Sequence, residues 1–300
     1  MSTLWLEKAE KLDWEQNRRF LQRAHFRPLY DRAFSQLLET LATENYFRDP
    51  ESLRQEFIQE FDRWIHGSRL NQLSGLKAFP HRDFIVGVTH TLDDLHITYG
   101  SKIVILEKEY AYHRRMKPAI PQRRLETLEP GDVLVMSAPF AWYGDLHPEM
   151  NEILDRCLAL SIPVHIDAAW YGCLKDFILH CDHPAIQTVS FSLSKGLGLG
   201  AHRAGVRYAR ERHAGPVTII NDFNMGIASV MWYGLHFMRQ FGSDYIQTRY
   251  GSAYSYICEK LDLRETKAIH LAFQKDGDEE SPVGIRPFLR YLVDDVDEFK

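Results

Sequence analysis

The 300-residue sequence lacks several features that mark particular classes of protein. It has no apolar run close to the roughly 20 residues that a membrane-spanning helix needs. Its N-terminus, MSTLWLEKAEKLDWEQ, is too charged for the apolar part of a secretory signal. The formal net charge is −5, so no basic excess is present for binding a nucleic-acid backbone. We therefore expect a cytoplasmic protein without membrane or nucleic-acid partners.

Cysteine is scarce, and metal-binding patterns are weak. The HCDH tract at residues 180–183 could supply metal ligands, but a site needs three or four convergent ligands, and a polar loop explains these residues as well. We predict no metal. The cysteines show no paired spacing, which favours reduced thiols over disulfides. They are Cys157, Cys173, Cys181 and Cys258.

What the sequence does contain is a series of short apolar runs separated by amphipathic stretches. This pattern is typical of an α/β fold with a mostly parallel sheet and crossover helices. Helical periodicity precedes the runs over residues 1 to about 68 and returns at 226–240 and 244–261. Strand-like segments follow at AIHLAF and VGIRPFLRYLV. The six apolar runs are residues 84–88, 102–106, 132–136, 163–168, 188–193 and 204–209.

One stretch, SFSLSKGLGLGAHRAGVRY, places a single lysine, Lys195, between hydroxyl residues and glycines. A dinucleotide-binding turn would require a helix after GLGLG, but the strand-like RAGVRYA follows it. An ordinary surface lysine at a loop tip is one alternative. Another is a lysine that forms a Schiff base at the carboxyl end of a strand, where open α/β sheets bind ligands.

A second stretch, PVHIDAAWYG, supports the Schiff-base interpretation. Asp167 ends a predicted strand, and 28 residues separate it from Lys195, which is enough for a crossover. Two strand ends then converge. A lysine and a carboxylate facing each other suit pyridoxal chemistry, because the carboxylate keeps the pyridine nitrogen protonated and the cationic ring withdraws electrons.

The lysine stretch resembles the signature of fold type I pyridoxal-phosphate enzymes, especially class I/II aminotransferases, whose pattern is S-x-S-K, glycines and R-x-G. The resemblance implies that Lys195 forms the internal aldimine with pyridoxal 5'-phosphate. It implies that Ser192, Ser194 and Arg203 hold the cofactor phosphate. VHIDAAW is also similar to pyridoxal decarboxylases, and VSFSLSKGLG to threonine aldolases. Arg203 and the strand after it fit the aminotransferases best.

The same resemblance implies further cofactor contacts. Asp167 matches the aspartate at the pyridine nitrogen, and Ala169 the small residue under the ring. Tyr110, at the end of VILEKEYAY, matches an aromatic residue that stacks on the ring, although an aromatic residue there is often only part of the core. Thr89 and Thr91 lie where the family binds phosphate at a helix N-terminus.

Acidic residues complicate that last assignment. In GVTHTLDDL, Thr91 and Asp94 fit a capping box. Asp93 and Asp94 in a first helical turn would compete with a phosphate dianion. We therefore expect a conflict between helix capping and phosphate binding at this turn.

Two departures leave the reaction type open. Residues 141–144 are AWYG where aminotransferases resemble N-P-T-G, so the asparagine that contacts the cofactor's phenolic oxygen is missing. Three residues after Asp167, where the family has a tyrosine, stands Trp170, with Tyr171 one step later. If neither Tyr171 nor Tyr143 reaches that oxygen, the aldimine pKa should differ from that of a typical transaminase.

The C-terminal part is short, with 105 residues after Lys195. VGIRPFLRYL resembles the strand on which aminotransferases carry an arginine that binds the substrate carboxylate. The resemblance implies that role for Arg286, with Arg290 in reserve, and a solvated arginine on an edge strand is the alternative. The resemblance is clear over residues 84–208 and poor elsewhere.

The resemblance also implies an overall organisation. It predicts an N-terminal helical region (1–75), a three-layer αβα cofactor-binding domain (76–225), and interface helices with a reduced small domain (226–300). A homodimer is expected, with the N-terminal helices and residues 226–261 as contact surfaces. The predicted function is transamination of an amino acid or amine. A pyridoxal-phosphate-dependent lyase of decarboxylase or aldolase type, and a catalytically decayed binding protein, are the alternatives.

Overall fold

A computed structural model describes residues 4–22, 27–41, 49–212, 214–276 and 279–299. The α-helices are α1 Leu4–Lys11, α2 Trp14–Asn17, α3 Arg32–Thr40, α4 Pro50–His66, α5 Val88–Tyr99, α6 Tyr112–Met116, α7 Met150–Ala159, α8 Leu193–Gly196, α9 Pro216–Asp222, α10 Ala228–Gln240, α11 Tyr245–Lys260 and α12 Arg286–Leu289. The strands are β1 Gln72–Ser74, β2 His81–Ile85, β3 Ile103–Leu106, β4 Gln122–Arg123, β5 Val133–Ser137, β6 Val164–Ala168, β7 Ile178–His180, β8 Ile186–Ser192, β9 Gly205–Ala209, β10 Leu263–Glu265, β11 Leu271–Asp276 and β12 Glu279–Gly284.

The central sheet has seven strands in the order β2-β9-β8-β6-β5-β3-β4. Strand β9 runs antiparallel to both of its neighbours, and the other pairings are parallel. Each of the six predicted apolar runs lies on one of these strands. The run 84–88 ends early, because Gly87 has a φ of +70° and Val88 begins α5. The predicted mostly parallel α/β sheet is confirmed.

Alternating side chains of the central strands enter two separate cores. On β3, Ile103 and Ile105 pack in a core with residues of α5 and α9. Val104 and Leu106 pack in the larger core, which includes residues of α4, α7, α10 and α11. Because both faces of the sheet are apolar, both must be covered by helices. This produces the three-layer αβα arrangement that was predicted.

Smaller elements surround this sheet. Strands β1 and β7 form a parallel pair, and β10, β11 and β12 form an antiparallel sheet. The two long C-terminal helices, α10 and α11, lie where helical periodicity returned in the sequence. Helices α1 to α4 occupy the N-terminal part. The domain boundaries given above stay a prediction.

The expected strand at VGIRPFLRYLV is wrong in its second half. Strand β12 ends at Gly284, and Arg286 begins α12, which leads into a π-helical turn, Arg290–Asp294. Pro287 explains the change. It cannot donate a backbone hydrogen bond to a sheet, and its fixed φ suits the first turn of a helix.

Within the described ranges, no helix combines the length and the apolar character needed to cross a membrane. The same residues contain no group of three or more histidine, cysteine, aspartate or glutamate side chains that could hold a metal ion. All four cysteines are buried and none forms a disulfide.

A buried arginine ties the sheet to the helices on one face. Arg207 on β9 is fully buried and donates to Asp83 on β2 at 2.7 Å and to Asp94 on α5 at 2.7 Å. It also donates to the hydroxyl of Thr218 on α9 at 3.0 Å. Asp94 accepts a second hydrogen bond, from the backbone of Val217 on α9. One guanidinium therefore connects two strands and two helices.

Replacing this arginine should be strongly destabilising. Arg207→Met leaves two buried carboxylates without their cation, and breaking such a cluster costs about 3–5 kcal/mol. Urea unfolding of the variant should show this loss as a lower midpoint. Arg63→Met is the matched control, since Arg63 pairs with Glu60 on the surface and such pairs contribute about 1 kcal/mol or less. Equal losses in the two variants would contradict the assigned role of Arg207.

Candidate active site

Parallel pairing of β6 with β8 sets the position of the site. The register places Asp167 opposite Ser190 and Ala168 opposite Phe191. After Ser192 the chain turns directly into α8, which carries Lys195. Because parallel strands end at the same edge of a sheet, Asp167 and Lys195 lie at one edge, where open α/β sheets bind ligands.

Lys195 has the character of a reactive amine. Burial lowers its pKa to about 8. The charges of Arg203 and Arg286 lower the pKa as well, whereas Cys173 and Asp167 raise it. Both arginines are thus close enough to influence the lysine. At neutral pH a small but useful fraction of the amine is unprotonated, as a nucleophile requires.

Asp167 stays ionised in spite of its burial. Burial raises its pKa to about 6, while a hydrogen bond from the backbone of Ala169 and the charges of Arg203 and Lys195 hold the pKa down. Ala169 donates to Oδ1 at 2.9 Å. At neutral pH the carboxylate is therefore available to accept a hydrogen bond from a cationic ligand group.

Arg203 and the turn before α5 form a cradle with positive potential. Gly87 adopts a φ of +70°, and a Cβ there would lie 2.8 Å from Nε of Arg203, so the guanidinium lies directly against the turn. That Nε is buried and has no hydrogen-bond partner among the described residues. No described side chain caps α5. A helix N-terminus with an adjacent unpaired guanidinium donor suits a phosphate.

The conflict expected at this turn does not arise. Helix α5 begins at Val88 with Gly87 as its N-cap, so Thr91 and Asp94 form no capping box. Asp94 is bound to Arg207 instead, and its charge is neutralised in the core. Asp93 accepts a hydrogen bond from the hydroxyl of Tyr112.

The two threonines that were predicted to contact phosphate differ in their burial. Thr89 is half-buried in the first turn of α5. Thr91 is buried, and its hydroxyl accepts a hydrogen bond from Ser190 at 3.1 Å. Their roles toward a phosphate stay predictions.

The hydroxyls around the lysine bind each other. Ser192 caps α8, accepting from the backbone of Ser194 at 3.1 Å and donating to its hydroxyl at 2.8 Å. Both side chains are buried. These contacts stabilise the turn that carries Lys195. The predicted phosphate contacts of the two serines are not tested by this geometry.

Tyr110 presents an aromatic surface beside these charges. Its side chain is 42% exposed and stacks on Tyr112, with ring centroids 5.9 Å apart. Burial raises its pKa, Asp167 raises it further, and Arg203 lowers it. The phenol therefore lies within electrostatic reach of both groups, as a ring-stacking residue would.

A glutamate that the sequence did not reveal fixes the position of Tyr110. Glu109 is buried and accepts hydrogen bonds from the backbone of Tyr110 at 2.6 Å and from the backbone and hydroxyl of Ser137 at 2.8 and 2.5 Å. Burial raises its pKa to about 7, and Asp167 contributes to the increase. Glu109 joins the ends of β3 and β5. Within LEKEY nothing distinguishes it from an exposed glutamate.

Trp170, not a tyrosine, faces the lysine. Nζ of Lys195 lies 5.5 Å from the centre of the Trp170 ring. Tyr171 packs in the core against Phe177 and Phe191, and its buried hydroxyl has no partner among the described residues. Tyr143 packs against Phe140.

Arg286 belongs to the same surroundings. It is buried at the start of α12, and its charge lowers the pKa of Lys195. One of its terminal nitrogens donates to Glu298 at 2.5 Å, and Arg290 donates to the same carboxylate oxygen at 2.5 Å. The guanidinium carbon lies 5.5 Å from the centre of the Tyr30 ring. Nε of Arg286 is buried and unpaired within the described part of the chain.

The glycine run after the lysine accommodates the N-terminal segment. Gly198 has a φ of +65°, and a Cβ there would lie 2.6 Å from the ring of Phe34 and 2.8 Å from the carbonyl of Leu29. A Cβ on Gly200 would lie 2.7 Å from the hydroxyl of Tyr30. These glycines therefore serve chain packing beside the site. Sequence reasoning did not connect the two segments.

No protein-family model matches the sequence, and no curated protein matches it. Solved structures do match. A mutant of Thermus thermophilus aspartate aminotransferase has a TM-score of 0.61 at 12% identity, covering 91% of this chain and 94% of that one. Tyrosine aminotransferase from Leishmania infantum has a TM-score of 0.60 at 12% identity, covering 99% of both chains. The PLP-bound C-S lyase from Staphylococcus hominis has a TM-score of 0.58 at 10% identity, covering 80% and 82%.

The chain has the aminotransferase fold. The predicted fold resemblance is thus confirmed, and it extends beyond residues 84–208, since these matches cover 80 to 99% of the chain. Identities of 10 to 12% establish the fold alone.

The amine of Lys195 should titrate far below an ordinary lysine. In ¹³C-lysine NMR of the cofactor-free protein, its Cε resonance should shift with a midpoint near pH 8, and Lys195→Arg should remove that resonance. Arg203→Met should move the midpoint upward, because the Arg203 charge lowers the pKa. Asp167→Asn should move it downward, because the carboxylate raises the pKa. A midpoint above pH 10 would show that the lysine is solvated.

Proposed function

We propose that this protein is a pyridoxal-phosphate-dependent enzyme that transaminates an amino acid or amine. The observation that carries the proposal is a half-buried lysine with a pKa of about 8, near a half-buried carboxylate and an unpaired arginine donor at the carboxyl edge of the sheet. An ordinary surface lysine has neither this burial nor these neighbours. The shared aminotransferase fold supports the same reaction class.

The residues present fit pyridoxal phosphate. The phosphate would bind at the N-terminus of α5 and to Nε of Arg203, which no described protein group satisfies. Tyr110 would stack on the ring. Asp167, ionised at neutral pH, would accept a hydrogen bond from the ring nitrogen. The bound cofactor would supply an electron-withdrawing ring that stabilises negative charge on a substrate carbon.

Lys195 is the residue that handles protons in this proposal. With a pKa of about 8, roughly one-tenth of its amine is neutral at pH 7, as a nucleophile requires. Once a substrate amine had displaced it from the cofactor, the free amine could accept a proton from the substrate α-carbon. The ring of Trp170 lies beside the amine, with its centre 5.5 Å from Nζ. The neighbouring cations favour the neutral form of the amine.

Asp167 maintains the charge balance on the opposite side. Burial raises its pKa to about 6, and the backbone of Ala169 and the charges of Arg203 and Lys195 oppose a further rise, so the carboxylate keeps its negative charge at neutral pH. A carboxylate there would stabilise a proton on the ring nitrogen of a bound cofactor. Ala169, whose backbone N–H binds the carboxylate, keeps the side chain oriented.

Arg286 favours an amino acid over a simple amine as the substrate. Its side chain is buried within electrostatic reach of Lys195, and it has a donor that Glu298 does not occupy. An unsatisfied buried guanidinium donor is best paired with a carboxylate.

Covalent attachment of the cofactor tests the assignment of Lys195. After incubation with pyridoxal phosphate and reduction with borohydride, the cofactor should be fixed to the peptide that contains Lys195. Lys195→Ala should abolish fixation, while Lys267→Ala, a matched change at a partly exposed lysine, should not. Arg203→Met should weaken cofactor binding about tenfold or more, equivalent to about 1.4 kcal/mol. Fixation to another lysine in the wild-type protein would refute the assignment.

Product analysis of the loaded enzyme decides the reaction type. Transamination of an amino acid releases a 2-oxo acid, leaves the cofactor as the amine and forms no carbon dioxide. Carbon dioxide or an aldehyde with the cofactor unchanged would indicate a lyase of decarboxylase or aldolase type. No change with any amino acid or amine, despite cofactor fixed at Lys195, would favour a binding protein.

We also propose a homodimer, formed partly by an apolar surface between α9 and α10. Its side chains are exposed in the chain, and Phe223 is the most exposed of them at 72%. Adjacent apolar side chains are rarely left in water unless they bind a partner. The surface consists of Ile219, Phe223, Met225 and Ile227.

We also propose that the protein resides in a reducing compartment such as the cytoplasm, which suits its four buried thiols.

A charge in this surface should separate the subunits. Phe223→Asp should shift the sedimenting species from dimer to monomer at micromolar concentration, because the dimer would bury the new carboxylate. Leu158→Asp is the matched control, since Leu158 is a half-exposed residue of α7 outside the surface, and it should leave the dimer intact. A cofactor-loaded wild-type protein that sediments as a monomer would overturn the proposal.

A further inference from the structure

His270 carries a hydrogen-bond donor that nothing assigned so far uses. The residue precedes β11, and its side chain is 1% exposed. Its Nε2 accepts a hydrogen bond from the backbone N–H of Leu29 at 3.3 Å, so Nε2 cannot carry a proton. Burial lowers its pKa to about 3, and the charges of Lys195 and Arg286 lower it as well. The ring is therefore neutral at physiological pH, with its proton on Nδ1.

This Nδ1–H has no partner. The atom is buried, and none of the described residues accepts a hydrogen bond from it. Buried polar atoms in folded proteins are almost always paired, with protein, water or ligand. An acceptor from outside the chain, such as a ligand, would satisfy this donor.

The surroundings of His270 are those of the active site. Its ring centre lies 5.7 Å from that of Trp170, and Trp170 in turn lies 5.5 Å from Nζ of Lys195. Arg286 influences the pKa of both His270 and Lys195, and its Nε is also buried without a described partner. Two unsatisfied donors, one charged and one neutral, therefore lie beside the lysine.

We propose that His270 Nδ1–H and Arg286 together bind the carboxylate of an amino-acid substrate. A carboxylate has two acceptor oxygens, which suits two separate donors. The neutral histidine adds a directional hydrogen bond without adding positive charge near Lys195. This inference rests on the proposed function and deepens it, since it identifies the residue that selects carboxylate-bearing substrates.

Two variants separate the donor from the rest of the ring. In His270→Asn the amide nitrogen replaces Nδ1 and keeps the donor. In His270→Gln the side chain reaches the position of Nε2 instead, keeping the contact with Leu29 and losing the donor. The probe is propionate, a carboxylate without an amino group, whose Kd is measured calorimetrically on cofactor-loaded and cofactor-free protein.

His270→Gln should raise the Kd for propionate at least tenfold, while His270→Asn should stay within about threefold of the wild type. Thermal unfolding of both variants controls for folding. In ¹⁵N-histidine NMR of the wild-type protein, which requires no variant, propionate should shift the Nδ1–H resonance of His270.

Three results would overturn the inference. They are an unchanged Kd in His270→Gln, an equal loss in both variants, and a cofactor-loaded wild-type protein that binds no propionate. If the cofactor is not fixed at Lys195, the proposed function fails, and the cofactor-free titrations still test the carboxylate site separately.

Discussion

The buried ion cluster around Arg207 is the constraint on which the rest of the site depends. Arg207 binds the carboxylates of Asp83 on β2 and Asp94 on α5, and it donates a hydrogen bond to Thr218 on α9. Strand β9 lies between β2 and β8, so the same strand that supplies Arg207 brings Arg203 to the start of α5. Asp94 is buried in the core, where Arg207 neutralises its charge. The N-terminus of α5 therefore keeps its positive potential, which an unpaired acidic residue in the second turn would have weakened.

The site has two regions with unsatisfied donors, and Lys195 is electrostatically linked to both. At one, Nε of Arg203 lies against the Gly87 turn. At the other, Arg286 and His270 each bury a donor without a described partner. Both arginines lower the pKa of the lysine. Buried unsatisfied donors are costly in a protein without ligands. An anionic cofactor and an anionic substrate would each satisfy one region, which supports the proposed chemistry.

One departure from the aminotransferase pattern lies beside the lysine. Trp170 contacts the lysine where a tyrosine was expected, and Tyr171 is turned into the core. Glu109 is an additional buried acid close enough to Asp167 to feel its charge. The chain keeps the fold in spite of these departures. Fold similarity alone therefore does not decide which bond of the substrate breaks.

The sequence by itself determined the sheet and the edge at which the site lies. Apolar runs that end in Asp167 or lead into Lys195 are local signals, and parallel strands must present their carboxyl ends together. The tertiary structure decided which distant residues these side chains contact. Asp94 forms an ion pair with Arg207, which is 113 positions away in the sequence, and the backbone of Leu29 donates a hydrogen bond to His270, which is 241 positions away. Periodicity reports which side of an element is buried, but not which distant atom it meets. For that reason His270 was not recognised from the sequence, and Arg286 was expected on a strand.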